Sequence, residues 1–146
     1  MGALYSRSEE ETERLGERLG KLLRPGDVVA FTGGLGMGKT CFVRGMARGM
    51  GLDVPVYSPT FSLVNEYRGE KALYHFDMYR IGDLDDLYST GFFDYLDTDA
   101  VLAVEWSENI AGALPEHTIT VAFARDGDEA RTITVKGDGR FADFGD

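Results

Sequence analysis

The chain has 146 residues, a formal net charge of -10 and a single cysteine, Cys41. That length suits one domain with one core, and one cysteine excludes an internal disulfide. With 25 acidic against 15 basic residues, the composition argues against a protein that grips nucleic acid by itself; if RNA enters its work, another subunit is expected to hold it. No apolar run approaches the roughly 20 residues of a membrane span, and a cytoplasmic location is expected.

The first ten residues have no basic head followed by an apolar stretch, so no secretory signal is expected there. The loose myristoylation match at Gly2 and Ser6 is discounted. Ser8 to Glu11 opens a predicted helix, with Ser8 as cap and Glu11 three residues on, as in a capping box. Leu15, Leu19, Leu22 and Leu23 follow at helical spacing, and Glu10 with Arg14 and Glu17 with Lys21 pair on the wet side. Pro25-Gly26 ends the helix.

Asp27-Val28-Val29-Ala30-Phe31 is apolar and β-branched and reads as a buried strand. Behind it stands Gly33-Gly34-Leu35-Gly36-Met37-Gly38-Lys39-Thr40, which fits G-x-x-x-x-G-K-[ST] at every fixed position. Cys41 to Met50 then reads as a helix. Strand, glycine loop, helix is the order that phosphate binding needs. Glycines let successive N–H groups turn inward around phosphate oxygens, and the helix adds the positive end of its dipole. In such a loop Lys39 reaches the β- and γ-phosphates and the Thr40 hydroxyl sits on Mg²⁺. Thr12, on the preceding helix, is a candidate contact for the base. Gly45 and Gly49 interrupt the second helix at about 1 kcal/mol each relative to Ala; four apart, they allow close packing against a neighbour. Gly51 ends that helix.

Val54 to Thr60 contains two prolines and is extended and stiff. Two readings are open for Ser58 and Thr60: a turn into the predicted strand Phe61 to Tyr67, or a switch loop whose hydroxyls sense the γ-phosphate and Mg²⁺. After a hairpin turn at Arg68 to Lys71 comes the predicted strand Ala72 to Arg80. Its period of two places His75, Asp77 and Tyr79 on one face and Tyr74, Phe76 and Met78 on the other. A buried Asp77 needs a partner. Mg²⁺, Arg80 and an oriented water are open alternatives, beside an ordinary contact with Arg or His. A strand end beside a phosphate loop is where open α/β sheets bind ligands, which favours a site role. Asp83 to Leu96 reads as two short helical pieces around Gly91, with Asp83 as N-cap and the aspartates as a solvated face.

Ala100 to Val104 is a buried strand closing on Glu105-Trp106. An acid at that point is the partner a phosphate loop requires, for Mg²⁺ directly or through water. Trp106 either covers the nucleotide or caps the core. Two strands follow, Thr118 to Phe123 and Arg131 to Val135, with a turn at Asp126-Gly127. Arg131 is a candidate for a base or phosphate contact. One domain is expected over residues 1–136, then a mobile acidic tail over 137–146. The absence of an Asn-Lys-x-Asp guanine reader favours ATP over GTP, and no Cys/His cluster suggests zinc.

Four stretches carry a resemblance: the phosphate loop, Ser58 to Tyr67, His75 to Arg80, and Glu105-Trp106-Ser107-Glu108. In their order and spacing they resemble the bacterial TsaE (YjeE) family, from about Leu15 to Arg131. The resemblance implies an α/β fold, a single P-loop NTPase-like domain with a central mixed β-sheet flanked by helices. It implies a Mg²⁺-dependent ATPase in the pathway that installs threonylcarbamoyl-adenosine beside the anticodon of tRNAs reading codons that begin with A. Members work with the TsaB–TsaD pair: TsaD transfers the group, and TsaE hydrolyses ATP to permit repeated turnover. Such a protein would meet tRNA only through that complex and would be a monomer or weak oligomer alone.

Carried over by motif, Gly33, Gly34, Leu35, Gly36, Met37, Gly38, Lys39, Thr40 and Cys41 bind phosphates. Lys39, Asp77 and Glu105 are the catalytic candidates, and Thr40, Asp77 and Glu105 the metal candidates. Ser58 and Thr60 look like the first switch, and Trp106 would lie beside the site. Gly34 stands where Asp is usual in this family, Met37 where Ala is usual and Cys41 where Thr is frequent. None is a fixed position, so phosphate binding is expected to survive, although Gly34 removes a carboxylate that could orient the loop. No arginine is clearly placed to neutralise the transition state, Arg80 being nearest, so activity alone is expected to be slow. A small-molecule kinase and a nucleotide-gated binding module are the alternative readings; the first needs an acceptor pocket that the sequence does not show.

Overall fold

Near-continuous runs of Val, Ala, Leu and Phe are what strands covered on both faces require. Two such runs, β2 (Val28–Thr32) and β5 (Val101–Glu105), lie side by side and parallel at the centre of the sheet, and the more mixed β4 (Leu73–Asp77) lies parallel beside β5. The computed structural model describes residues 2–33, 38–52, 56, 64–69, 71–78, 81–126 and 130–141. Among them β1 (Gly2–Ser6), β3 (Val64–Tyr67), β6 (Ile119–Asp126) and β7 (Ala130–Lys136) complete one mixed sheet in the order β1-β7-β6-β2-β5-β4-β3. β6, β2, β5 and β4 are parallel; β7, β1 and β3 join antiparallel to their neighbours. This is the helix-flanked mixed sheet that the resemblance implies.

Helices α1 (Glu9–Leu22) and α2 (Lys39–Gly49) cover one face, packing Leu19, Phe42, Val43 and Met46 on Val29, Phe31, Ala103 and Val121. The Ser8 hydroxyl accepts from the Glu11 N–H at 3.1 Å, as predicted. The Glu11 carboxylate accepts from Arg7 N–H at 2.9 Å, one residue earlier than a capping box would have it. Gly16, Gly20, Gly45 and Gly49 let α1 and α2 meet backbone to backbone: a β-carbon on Gly45 would run into the Glu13 carbonyl oxygen, and one on Gly16 into that of Phe42. The predicted close packing at Gly45 and Gly49 is therefore against α1.

Helices α3 (Leu84–Ser89) and α4 (Phe92–Leu96) cover the other face. They are the two predicted pieces: Asp83 accepts from the Asp86 N–H at 2.8 Å and Gly91 caps α4. Rings fill this layer edge to face, with Phe76 5.3 Å from Phe92 and 5.1 Å from Tyr95.

Three readings differ from the structure. β1 was not predicted; it lies on β7 with Leu4 opposite Ile133. The last two strands are longer than predicted and pair as far as Asp126 opposite Ala130, so Asp126 belongs to a strand; residues 127–129 lie outside the described residues. The tail expected to be mobile from Gly137 is docked as far as Phe141, whose ring is fully buried in the α1/α2-side core. Arg140 explains the docking. It donates to Asp27 Oδ2 at 2.8 Å, to Asp138 Oδ2 at 2.9 Å and to the Leu22 carbonyl at 2.9 Å. Those bonds raise the Arg140 pKa, Asp27 contributing most, and Arg140 in turn holds Asp138 at about 2. Residues 142–146 lie outside the described residues.

Candidate active site

The parallel strands β2, β5 and β4 end together, and the candidate residues emerge at that edge. β2 runs into Gly33, which has φ +123° and whose Cα faces the Phe123 carbonyl so closely that a β-carbon would lie 2.7 Å from it. Gly38, at φ +88°, turns the chain into α2. Both positions demand glycine, on conformation and, at Gly33, on space. Lys39 opens α2 and is nearly buried. Its Nζ donates to the Gly33 carbonyl at 2.9 Å and stands 4.8 Å from the centroid of the Trp106 ring. An ammonium over an indole face is a favourable cation–π contact. Thr40 follows, half-buried, in the first turn of α2, where the helix leaves N–H groups without intrahelical partners.

Glu105 ends β5 and is 7 % exposed. On β4, Asp77 is its register partner and is half-buried. Two carboxylates thus end adjacent strands on the face that α1 and α2 cover, the face that also carries His75. The His75 Nε2 meets Glu105 Oε2 at 2.5 Å. Trp106 has φ +58°, the one positive φ on a non-glycine among the described residues. Such a conformation is strained for a bulky side chain and persists only where its surroundings enforce it. Here they do: the Ser107 hydroxyl donates to the Phe31 carbonyl at 2.8 Å, the Met78 N–H donates to the Glu105 carbonyl at 3.0 Å, and the Asn109 amide donates to the Met78 carbonyl at 2.8 Å. The Glu105-Trp106 junction is therefore tied both to β2 and to the end of β4.

Thr12 lies on α1 and Arg131 on β7. The Thr12 methyl would lie 3.6 Å from a β-carbon at Gly38, and its hydroxyl is engaged with Ser6 Oγ at 2.6 Å. Arg131 pairs in register with Ser6 and donates to the Ala130 carbonyl at 2.9 Å. Cys41 is half-buried; burial first, then Glu9, pushes its thiol pKa up, which keeps it a neutral thiol. Gly34, Leu35, Gly36, Met37, Ser58, Thr60 and Arg80 lie outside the described residues. His75, Ser107 and Asn109 were missed as site residues. The alternation placed His75 beside Asp77, but only the pairing of β4 with β5 brings it to Glu105.

Residues 6–133 match the family described as "Threonylcarbamoyl adenosine biosynthesis protein TsaE". The "tRNA threonylcarbamoyladenosine biosynthesis protein TsaE" of Treponema pallidum is 42% identical over 130 residues, covering 89% of this chain and 96% of its own. The protein of the same name from Bacillus subtilis is 38% identical over 126 residues, covering 86% of this chain and 78% of its own. The crystal structure of Bacillus subtilis YdiB superposes with a TM-score of 0.78 at 31% identity, covering 97% of this chain and 89% of that one.

Proposed function

The chain belongs to the TsaE family of tRNA threonylcarbamoyladenosine biosynthesis, and from that premise we propose that it serves the modification as a Mg²⁺-dependent ATPase working with the TsaB–TsaD pair. The observation that carries this reading is the convergence of Lys39, the Gly33 carbonyl and the Glu105-Trp106 junction at one strand edge. Gly33, Gly38 and the start of α2 offer N–H groups to phosphate oxygens, and Lys39 supplies the positive charge to the β- and γ-phosphates. Because Lys39 and Glu105 are nearly buried, their charges act with little screening.

The available metal donors are all oxygens: the Thr40 hydroxyl and the carboxylates of Glu105 and Asp77. Among the described residues no group of three or more His, Cys, Asp or Glu gathers into a metal cage. That suits Mg²⁺, an ion held by one or two carboxylates together with substrate phosphates. When bound, Mg²⁺ offsets charge on the β- and γ-phosphates. Glu105 holds the metal side of the site and orients the attacking water; Asp77 stands beside it. Water takes the γ-phosphoryl group, and ADP and phosphate leave. Turnover is slow until the partner pair completes the site, and tRNA is held by that pair, in keeping with the acidic chain.

Phosphate release from ATP, measured for the chain alone and with the matching TsaB–TsaD pair, tests this reading. Strong stimulation supports it. No stimulation by a complex shown to form favours a module that nucleotide gates without productive hydrolysis. Lys39→Ala is expected to abolish productive ATP binding, and unchanged affinity and turnover count against the site. Glu105→Ala is expected to impair hydrolysis more than nucleotide binding; hydrolysis equal to wild type removes its assigned role.

A further inference from the structure

His75 sits where the fold would accept an apolar side chain. It is fully buried in the middle of β4, between the apolar positions Tyr74 and Phe76 and beside Ala103 of β5. One nitrogen, Nε2, meets Glu105 Oε2 at 2.5 Å, while Nδ1 is sealed from solvent without a hydrogen-bond partner. A histidine kept for packing would satisfy both nitrogens or give way to an apolar ring, because a buried polar atom left unpaired is destabilising. The single bond this ring makes is to the carboxylate at the strand edge. A carboxylate oxygen only accepts, so Nε2 is the donor in this bond. Asp77 ends the same strand on the same face, as the register partner of Glu105. A donor fixed to one Glu105 oxygen therefore decides how that side chain is oriented, and the other oxygen makes no bond among the described residues.

We propose that His75 is a positioning residue: its Nε2–H holds Glu105 so that the second carboxylate oxygen faces the Mg²⁺ that accompanies the nucleotide. This rests on the reading of Glu105 as the metal-side carboxylate. The support is rigid at both ends, since His75 and Glu105 belong to paired strands rather than loops, the arrangement in which partners behind a metal ligand act most effectively.

The test is a titration of fluorescent ADP into the full chain, with Mg²⁺ and with EDTA, alongside Mn²⁺ binding followed by electron paramagnetic resonance. The proteins are wild type, His75→Phe, His75→Gln, Glu105→Ala and the double variant His75→Phe/Glu105→Ala. His75→Phe is expected to weaken Mn²⁺ binding and the Mg²⁺-dependent part of ADP affinity about tenfold, leaving affinity in EDTA unchanged. His75→Gln, which retains a donor near the Nε2 position, is expected to recover most of the loss. In the Glu105→Ala background His75→Phe is expected to add nothing. Wild-type metal dependence in His75→Phe, or the same further loss without Glu105, overturns the role of His75 alone. A wild-type chain that binds ADP equally with and without Mg²⁺ and takes no Mn²⁺ overturns the reading of Glu105, and the role of His75 with it. Should His75→Phe fail to fold, His75→Leu carries the same comparison.

Discussion

The two helix layers meet their neighbours by different means, although Phe42 of α2 also meets Phe31 and Phe123 edge to face. Under α1 and α2, backbone meets backbone across Gly16, Gly20, Gly45 and Gly49. Under α3 and α4, the rings of Tyr74, Phe76, Phe92 and Tyr95 meet edge to face. Rings in such clusters adjust to a changed neighbour by small rotations over a broad range of geometries. Where two helices touch backbone to backbone at these glycines there is no such slack, and an added atom there must push a helix aside. α2 carries Lys39 and Thr40, whereas α3 and α4 carry none of the candidate site residues. The stiff helix-to-helix contact thus lies where a shift of an ångström would misplace phosphate-binding groups.

Substitutions on the two sides should separate stability from binding. Phe92→Ala removes a fully buried ring and is expected to cost about 3 to 5 kcal/mol in urea denaturation, with nucleotide affinity unchanged in the protein that remains folded. Gly45→Ala is expected to cost about 2 to 3 kcal/mol, despite the roughly 1 kcal/mol that Ala gains in helix propensity. Unlike Phe92→Ala it should also weaken nucleotide binding, because relieving the clash moves α2. Equal nucleotide affinity in the two variants would break the comparison.

The docked segment after β7 offers a graded case. Arg140→Ala strands the buried Asp27 carboxylate and is expected to cost about 2 kcal/mol, between exposed and buried ion pairs. With the Asp138 pKa depressed from 3.8 to about 2, its contribution is fully present above pH 3.8 and is lost as pH falls toward 2. Acid unfolding of Asp138→Asn should lack that component. The smallest effect is expected from Arg48→Ala. Its pair with Glu13 joins α1 to α2, but Arg48 is 55% exposed, so the loss should stay under about 1 kcal/mol.

Much of this was legible because the signals were local. Ser8 and Asp83 mark helix starts by chemistry acting within three residues, and the glycine loop is bracketed by its own strand and helix. Glu105 could be placed at a strand edge because an apolar run stops there. What could not be read depends on partners distant in sequence. Gly45 and Gly49 suggested close packing, yet nothing local named Gly16 and Gly20 as the opposing surface. His75 could be placed beside Asp77 by alternation, but its bond to Glu105 needs the order of strands. β1 is short and carries no clear period, and its strand character comes from β7. The segment around Arg140 looked like a tail because Gly and Asp dominate it, while its anchors lie 113 and 118 residues away at Asp27 and Leu22.

The pairing of β1 with β7 has a consequence for synthesis. Leu4 is made long before Ile133, its partner across the sheet. Closing so long a loop is entropically costly and slow, and this edge of the sheet forms only after β7 has been made. Until β7 is made, β6 offers its outer edge to any passing strand, the situation that invites association between nascent chains. A chain interrupted before Ala130 keeps the phosphate loop but never covers that edge, and it should reach the insoluble fraction rather than persist as a partly active fragment.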